Sequence, residues 1–230
     1  MRRALFALGV LAALSGCSGG NTANRGDSQP VFTQLFSAGR QAISIRNARR
    51  ESRPPLTRAA LDTVGKSALE ATLERSGIFA YLFIDTVRQD VHPGQITVWR
   101  TEDNITLSLR SGVLVATRGL GGDVLSTEVS LAQNRPGPTA TSPRALHVRS
   151  GNAKATRFDL DCEIVDLGPD PVAIVEIVYP TRHLQERCSA AQGGQVVNDY
   201  WVDARSDIIW QSRQWAGPQI GYIAFRRLIE

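Results

Sequence analysis

The hydrophobic and polar positions of this chain change period along its length, and the change divides it into a short leader, a helical stretch and a long β region. From Ala4 to Leu14 the residues are apolar apart from Gly9, and Met1-Arg2-Arg3 precede them. Such a run falls well short of the roughly 20 residues that cross ~30 Å of hydrocarbon, so it predicts a signal-peptide core and not a transmembrane helix. After Pro30, the residues Phe32, Leu35, Phe36, Gly39 and Ile43 recur at steps of three and four, which predicts a short amphipathic helix. Thr57 predicts the cap of a second short helix running through Asp62 to Val64 and stopped by Gly65.

From Ser67 the period becomes two. Leu69, Ala71 and Leu73 alternate with Glu70, Thr72 and Glu74, predicting a strand, and Phe79 to Val87 predict a second. Gln95 to Arg100, Ile105 to Arg110 and Val113 to Thr117, with turns at 102–104 and 111–112, predict a meander. A weak segment follows to Leu131. Gln133 to Arg144 holds three prolines and Gly137 and reads as a long exposed loop, which either separates two subdomains or joins strands. Further strands are predicted at Ala145 to Arg149, Thr156 to Val165, Val172 to Tyr179, Val196 to Asp203, Asp207 to Trp215 and Gly221 to Ile229. Thr181 to Gly194, carrying Cys188, reads as a loop with a helical turn. Within Val172 to Tyr179, Glu176 shares a face with Val172, Ile174 and Val178 and would need an arginine partner or an edge position. No βαβ alternation is present. The expected fold is mainly β, built from antiparallel sheets as a curved half-barrel or a sandwich-like arrangement, with one or two short N-terminal helices.

Leu14-Ser15-Gly16-Cys17 closes the apolar leader and resembles the bacterial lipobox: a Leu, two small residues, then a Cys. The resemblance implies cleavage before Cys17 and acylation of its thiol and of the new amino group; the alternative is an ordinary signal peptide with a chance cysteine. Several acyl chains at ~0.8 kcal/mol per buried CH₂ form a lasting membrane anchor. The expected organisation is a signal peptide at 1–16, a tether at 17–29 that is rich in Gly, Ser, Asn and Thr, and one β-rich domain at 30–230 with a subdomain division near 133–144 as the variant. Losing Arg2 and Arg3 lowers the formal net charge from +4 to +2, so charge does not point to nucleic acid. The basic stretch from Arg40 to Lys66 is either a solvated surface or a face for anionic headgroups.

Cys162 and Cys188 form an even pair in an exported chain and predict one disulfide. His92, His147 and His183 are scattered, so no metal site and no cofactor are expected. Asp159, Asp161 and Glu163 share one face of a strand. Spaced carboxylates can hydrolyse glycosidic bonds or hold Ca²⁺, and a solvated strand face is the other reading. Gly119-Leu120-Gly121-Gly122 lacks a following Walker lysine and helix and reads as a turn. No Gly-x-Ser-x-Gly elbow occurs, and no catalytic residue is assigned. Trp99, Tyr200, Trp201, Trp210 and Trp215 are candidates for a glycan- or partner-binding surface, with core bulk as the alternative. Whether Trp210 faces Tyr200 or Trp201 depends on the register of the last hairpin.

Trp99-Arg100-Thr101-Glu102-Asp103-Asn104-Ile105-Thr106-Leu107, continuing through Arg110 to Leu120 and on to Asp123-Val124-Leu125-Ser126, resembles the central motif of the YjbF/GfcB family of group 4 capsule and exopolysaccharide lipoproteins. Asn198 to Asp203 with Ile209 to Gln214 is similar to that family's C-terminal hairpin. Two turns depart from it: the chain has Gly112-Val113 where the family often has Gly-Arg, and Ser206-Asp207 where a Gly is common. The resemblance implies a mainly β envelope lipoprotein encoded beside polysaccharide secretion genes, and it carries over no catalytic residue. The expected role is a non-enzymatic accessory lipoprotein, anchored through Cys17 in the outer membrane and facing the periplasm, since Ser18 is not the Asp that retains lipoproteins in the inner membrane. Its expected partners are the membrane, polysaccharide and polysaccharide-export proteins. The alternatives are a polysaccharide-modifying enzyme and a carrier of an acyl chain.

Overall fold

Leu69, Ala71 and Leu73 turn one face of their strand inward, and that strand lies near the middle of a single sheet with the C-terminal strand as its neighbour. The computed structural model describes residues 56–132, 136–139, 142–150, 154–191, 193–203, 205–206 and 208–229. The leader, Cys17, the tether and the helix expected after Pro30 lie outside these residues. In chain order the elements are α1 (Arg58–Asp62), β1 (Ala68–Leu73), β2 (Ile78–Arg88), β3 (Ile96–Arg100), β4 (Thr106–Arg110), β5 (Val113–Arg118), β6 (Val124–Glu128), β7 (Ser142–Arg149), β8 (Ala155–Pro169), β9 (Val172–Ile174), β10 (Ile177–Tyr179), β11 (Thr181–Ala190), β12 (Gln195–Asp203), β13 (Ile209–Trp215) and β14 (Tyr222–Ile229).

Twelve strands form one antiparallel sheet in the order β5-β4-β3-β2-β1-β14-β13-β12-β11-β8-β7-β6, while β9 and β10 form a separate hairpin. The sheet's two edges, β5 and β6, follow one another in sequence and lie side by side, with the Val124 amide donating to Thr117 Oγ1 at 3.0 Å. The sheet is therefore curled into a nearly closed barrel, not split into a sandwich. Near closure shields the unpaired backbone groups of both edges. Apolar side chains from most strands fill the interior, among them Leu82, Leu114, Leu146, Leu160, Ile223 and Phe225.

A second apolar cluster lies on the outside of the β1, β2 and β14 wall. Thr57 caps α1 as predicted, its hydroxyl accepting from the Ala60 amide at 3.2 Å, and the helix delivers a fully buried Leu61 against Ala68, Tyr81 and Leu228. The β9–β10 hairpin covers the same cluster with Val172 and Ile174. At the β4–β5 turn, Ser111 and Gly112 have φ of 44° and 82°, and a Cβ on Gly112 would stand 2.3 Å from Ile209 Cδ1. Only Gly satisfies both the turn and the close approach of β13.

Four sequence expectations are corrected. Thr181 to Ala190 is a full strand and not a loop, because its inward positions include Glu186 beside Cys188 and the polar residue hides the alternation. Val172 to Tyr179 is a hairpin, because Val175 and Glu176, at φ of 44° and 69°, make a turn without typical turn residues. Glu176 is consequently exposed at that turn rather than on an apolar strand face. β8 continues through Gly168 and Pro169, four residues past the strand end expected at Val165. Finally, β7 begins at Ser142, so Pro143 and Arg144 belong to a strand, and Gly137, Pro138 and Arg144 are buried instead of exposed. The strands before and after 133–144 join the same sheet.

Candidate functional site

Alternation along β3 turns Thr97 and Trp99 toward the interior, and β14 turns Phe225 and Arg227 the same way, with Arg227 opposite Leu69 of β1. At this end of the barrel the side chains do not meet in the middle, and a cavity of about 760 Å³ remains. That volume falls within the roughly 300–1,000 Å³ typical of ligand sites. Its wall mixes apolar groups, Leu69, Leu109 and Phe225, with the polar side chains of Gln95, Thr97 and Ser212. The Arg227 guanidinium carbon stands 5.8 Å from the centroid of the Trp99 ring, a cation–π arrangement that uses the ring's negative face.

The segment from Gln89 to Gly94 forms the lip of this cavity and is tied down by Arg110 at the end of β4. Arg110 Nη1 donates to Asp90 Oδ1 at 2.8 Å and Nη2 to Asp90 Oδ2 at 2.5 Å, while Nη1 also reaches the Gly94 carbonyl at 3.2 Å. The His92 amide adds a bond of 2.8 Å to Asp90 Oδ1. The Arg110 side chain first, then the His92 amide, holds the Asp90 carboxyl well below the usual carboxylate range. Asp90 is the one carboxylate among the described residues lining the cavity, and both of its oxygens are engaged.

Deeper in the barrel a polar network spans three strands, β7, β11 and β12. Arg144 Nη1 donates to Glu186 Oε2 at 2.6 Å, and Asn198 Nδ2 and the Tyr200 hydroxyl donate to the same oxygen at 2.6 and 3.2 Å. Arg144, Glu186, Asn198 and Tyr200 are all at most 2% exposed. Burial opposes the charge on Arg144, but the Glu186 carboxylate and the Tyr200 hydroxyl together outweigh it and hold the guanidinium above its ordinary value. Burial, reinforced by the Glu186 charge, also pushes the Tyr200 hydroxyl above its ordinary value, so it remains a protonated donor. Among the described residues, Arg144 Nε and Nη2 have no hydrogen-bond partner.

The residues singled out in the sequence do not converge on the cavity. Of the five aromatic residues, Trp99 and Trp210 both contribute to its wall, Trp99 being only 3% exposed, and Tyr200 is wholly buried in the polar network. A register shift between Trp201 and Val202 in the β12–β13 pairing puts Trp210 with Trp201 in the outer cluster and leaves Tyr200 on the inner face. Trp210 stacks on Tyr179 with centroids 3.6 Å apart. Trp201 stacks on His183 at 4.4 Å and donates to Asp170 Oδ2 at 2.6 Å. Trp215 meets Phe158 edge to face at 5.6 Å. Trp99, Tyr200 and Trp210 are thus core residues, and Trp201 and Trp215 retain partial exposure.

Cys162 and Cys188 sit opposite each other on β8 and β11 and are joined by a disulfide. Glu186 lies near both sulfurs, but sulfurs bonded to each other cannot act as thiolate ligands. Asp159, Asp161 and Glu163 are exposed on the outward face of β8, with Arg157 donating to Asp159 at 2.7 Å. In the Gly119–Gly122 turn, the Asp123 carboxylate accepts from the Gly119 and Leu120 amides at 3.2 and 3.0 Å, so the chain's own acid occupies the backbone donors that a phosphate would need. Sequence reading missed Arg227, Arg144 and Glu186. Signals existed: Arg226-Arg227 are adjacent in a strand, so one must point inward, and Glu186 stands two residues before Cys188 and shares its face.

A family model described as group 4 capsule polysaccharide lipoprotein gfcB, YjbF, matches residues 31–228. Among solved structures the chain is similar to the hypothetical lipoprotein YmcC from Escherichia coli (K12), with 17% sequence identity and a TM-score of 0.67 over 90% of this chain and 98% of that one. At that identity the likeness is one of fold. No curated protein matches the chain.

Proposed function

This chain belongs to the YjbF family of group 4 capsule polysaccharide lipoproteins, and on that premise we propose that it is a non-enzymatic accessory lipoprotein of polysaccharide secretion. It is anchored through Cys17 in the outer membrane, faces the periplasm and holds a segment of glycan in the mouth of its barrel. The observation that carries the binding reading is the cavity of about 760 Å³ with Trp99 and Arg227 in its wall. Gln95 and Thr97 offer donors and acceptors to sugar hydroxyls, while Trp99, almost wholly covered, closes the wall as an apolar backing.

The two other readings fit this cavity less well. Glycoside hydrolysis by the usual route needs two carboxyl groups about 5–10 Å apart. Asp90 has no carboxylate companion among the described lining residues, and Arg110 holds its oxygens. An acyl chain filling the cavity would leave Gln95 and Thr97 facing hydrocarbon, a costly burial of polar groups.

The test is titration of the mature domain with fragments of its host strain's secreted polysaccharide, followed by calorimetry, with fragment length checked by mass spectrometry after incubation. Binding by the wild type, its loss in Thr97→Trp and in Trp99→Ala, and unchanged fragment lengths are expected. Shortened fragments would make the protein an enzyme, and no heat of binding from the wild type would remove the glycan site.

A further inference from the structure

We infer that the barrel core holds a bound water between Arg144 of β7 and Thr127 of β6, and that this water ties the edge strand β6 into the buried polar network. Such a water is independent of whatever occupies the mouth of the barrel. Three buried side-chain atoms point to it: Arg144 Nε, Arg144 Nη2 and Thr127 Oγ1 have no hydrogen-bond partner among the described residues. Register places them together. Thr127 pairs with Leu146, whose side chain belongs to the interior cluster, and Arg144 stands two residues before Leu146 on the same strand and therefore on the same face. Arg144 and Thr127 are thus diagonal neighbours on the inner wall, about 7–8 Å apart along the sheet. A single water with a hydrogen bond on either side spans the gap between two such side chains.

The chemistry of the donors decides the ligand. Arg144 Nη1 is used by Glu186 Oε2 at 2.6 Å, and Nε and Nη2 form another edge of the planar guanidinium, along which two N–H groups point the same way. An oxygen set against that edge accepts from both. A water there also donates one hydrogen to Thr127 Oγ1 and so makes three bonds, the usual number for a buried water. An anion suits the place poorly, since the Glu186 carboxylate already balances the guanidinium and a second negative charge would stand uncompensated in a core where Arg144 is 2% exposed. The water has a structural consequence. β6 is one edge of the sheet and pairs with β7. The Tyr200 hydroxyl, bound to Glu186, also lies 3.4 Å from Gln214 Oε1, and Gln214 holds the backbone of the other edge strand, β5, at Leu114 and beside it at Gly112. With the water in place, one polar network secures both edges of the sheet from inside the barrel.

The experiment is a crystal structure of the mature chain in which ordered water is visible, from crystals grown once in chloride and once in bromide, together with amide exchange of Thr127→Val. Density for one oxygen within hydrogen-bond distance of Arg144 Nε, Arg144 Nη2 and Thr127 Oγ1, with no anomalous bromide signal, is the expected result. A bromide signal there overturns the water in favour of an anion, and a protein group bonded to Nε and Nη2, or no density, overturns it altogether. Exchange gives a second readout, whose sign decides. Thr127→Val nearly keeps the side chain's shape and removes its hydroxyl. With a water on that hydroxyl, exchange across Val124–Glu128 should be about three- to tenfold faster in the variant than in wild type, measured relative to β8, as expected for one lost hydrogen bond. Without one, the substitution relieves a buried polar group, and exchange there that stays the same or slows overturns the inference.

Discussion

Gln214 on β13 reaches across the barrel to the backbone of Leu114 on β5: its Oε1 accepts from the Leu114 amide at 2.8 Å, and its Nε2 donates to the neighbouring Gly112 carbonyl at 2.8 Å. The two strands are far apart in the sheet order, so this wholly buried amide is a strut between opposite walls. β5 is an edge strand, and Gln214 gives its backbone partners that no neighbouring strand supplies. Gln214→Leu should therefore destabilise the domain by about 2–4 kcal/mol, because it leaves the buried Leu114 amide and the half-buried Gly112 carbonyl without this partner. Urea denaturation with an unchanged m-value checks this, and Gln214→Glu should be similarly costly.

The Arg144–Glu186 pair gives a second prediction. Removing one partner strands a charge in the barrel core, so Arg144→Met and Glu186→Leu should each cost about 3–5 kcal/mol. The double variant should be less destabilised than the sum of the two, since it removes both charges together. A double-mutant cycle by urea denaturation measures the coupling, and strict additivity would show that the pair is not a unit.

The disulfide between Cys162 and Cys188 closes a loop with a sequence separation of 26. In the chain-entropy view that is worth about 3–4 kcal/mol. Reduction, or Cys162→Ala with Cys188→Ala, should lower stability by about this amount. Thiol labelling of the unfolded, unreduced mature domain lacking Cys17 should find no reactive thiol.

Val175 and Glu176 occupy the left-handed region at a two-residue hairpin turn, and Val is poorly suited to it. Replacing the pair by Asn-Gly, the residues such a turn favours, should stabilise the domain by about 1 kcal/mol. A rise in thermal midpoint of a few degrees is the readout, and a fall would mean that Val175 contributes more through packing on the outer cluster than it loses in the turn.

The lip of the cavity has a defined pH behaviour. Asp90 is depressed below its ordinary value of 3.8, chiefly by Arg110, so its contribution to order is complete above that value and is lost only as pH falls through the lower, folded one. Amide exchange across 89–95 should thus keep the same protection from pH 7 down to about 4, after correction for intrinsic rates. Asp90→Asn should raise exchange there at neutral pH.

How much of this was readable from sequence depends on what each strand turns inward. β1, β2 and the meander β3–β5 bury Leu, Trp and Val on one face, so period two is visible and their ranges were predicted nearly to the residue. β11 was missed because Glu186 faces a polar part of the interior, where the rule that inward means apolar does not hold. The β9–β10 turn was missed because Val175-Glu176 has no turn chemistry to read. The cavity was invisible for a different reason: Thr97, Trp99, Ser212 and Arg227 come from three strands, and only the order of those strands in the sheet brings them together. The row of Asp159, Asp161 and Glu163 lies in one strand, so its shared face could be read and is observed.

The most direct test of the central claim, that the protein acts by position and by holding glycan in its barrel, is complementation of a deletion strain, with secreted polysaccharide measured and each variant's abundance checked by blot. Cys17→Ala and Thr97→Trp should each reduce secretion substantially at normal protein level. Asp159→Asn, Asp161→Asn and Glu163→Gln should leave it unchanged, as expected for solvated side chains. Loss of secretion in one of those three neutral variants at normal abundance, together with full activity of an unlipidated periplasmic form, would contradict the account and put an enzyme in its place.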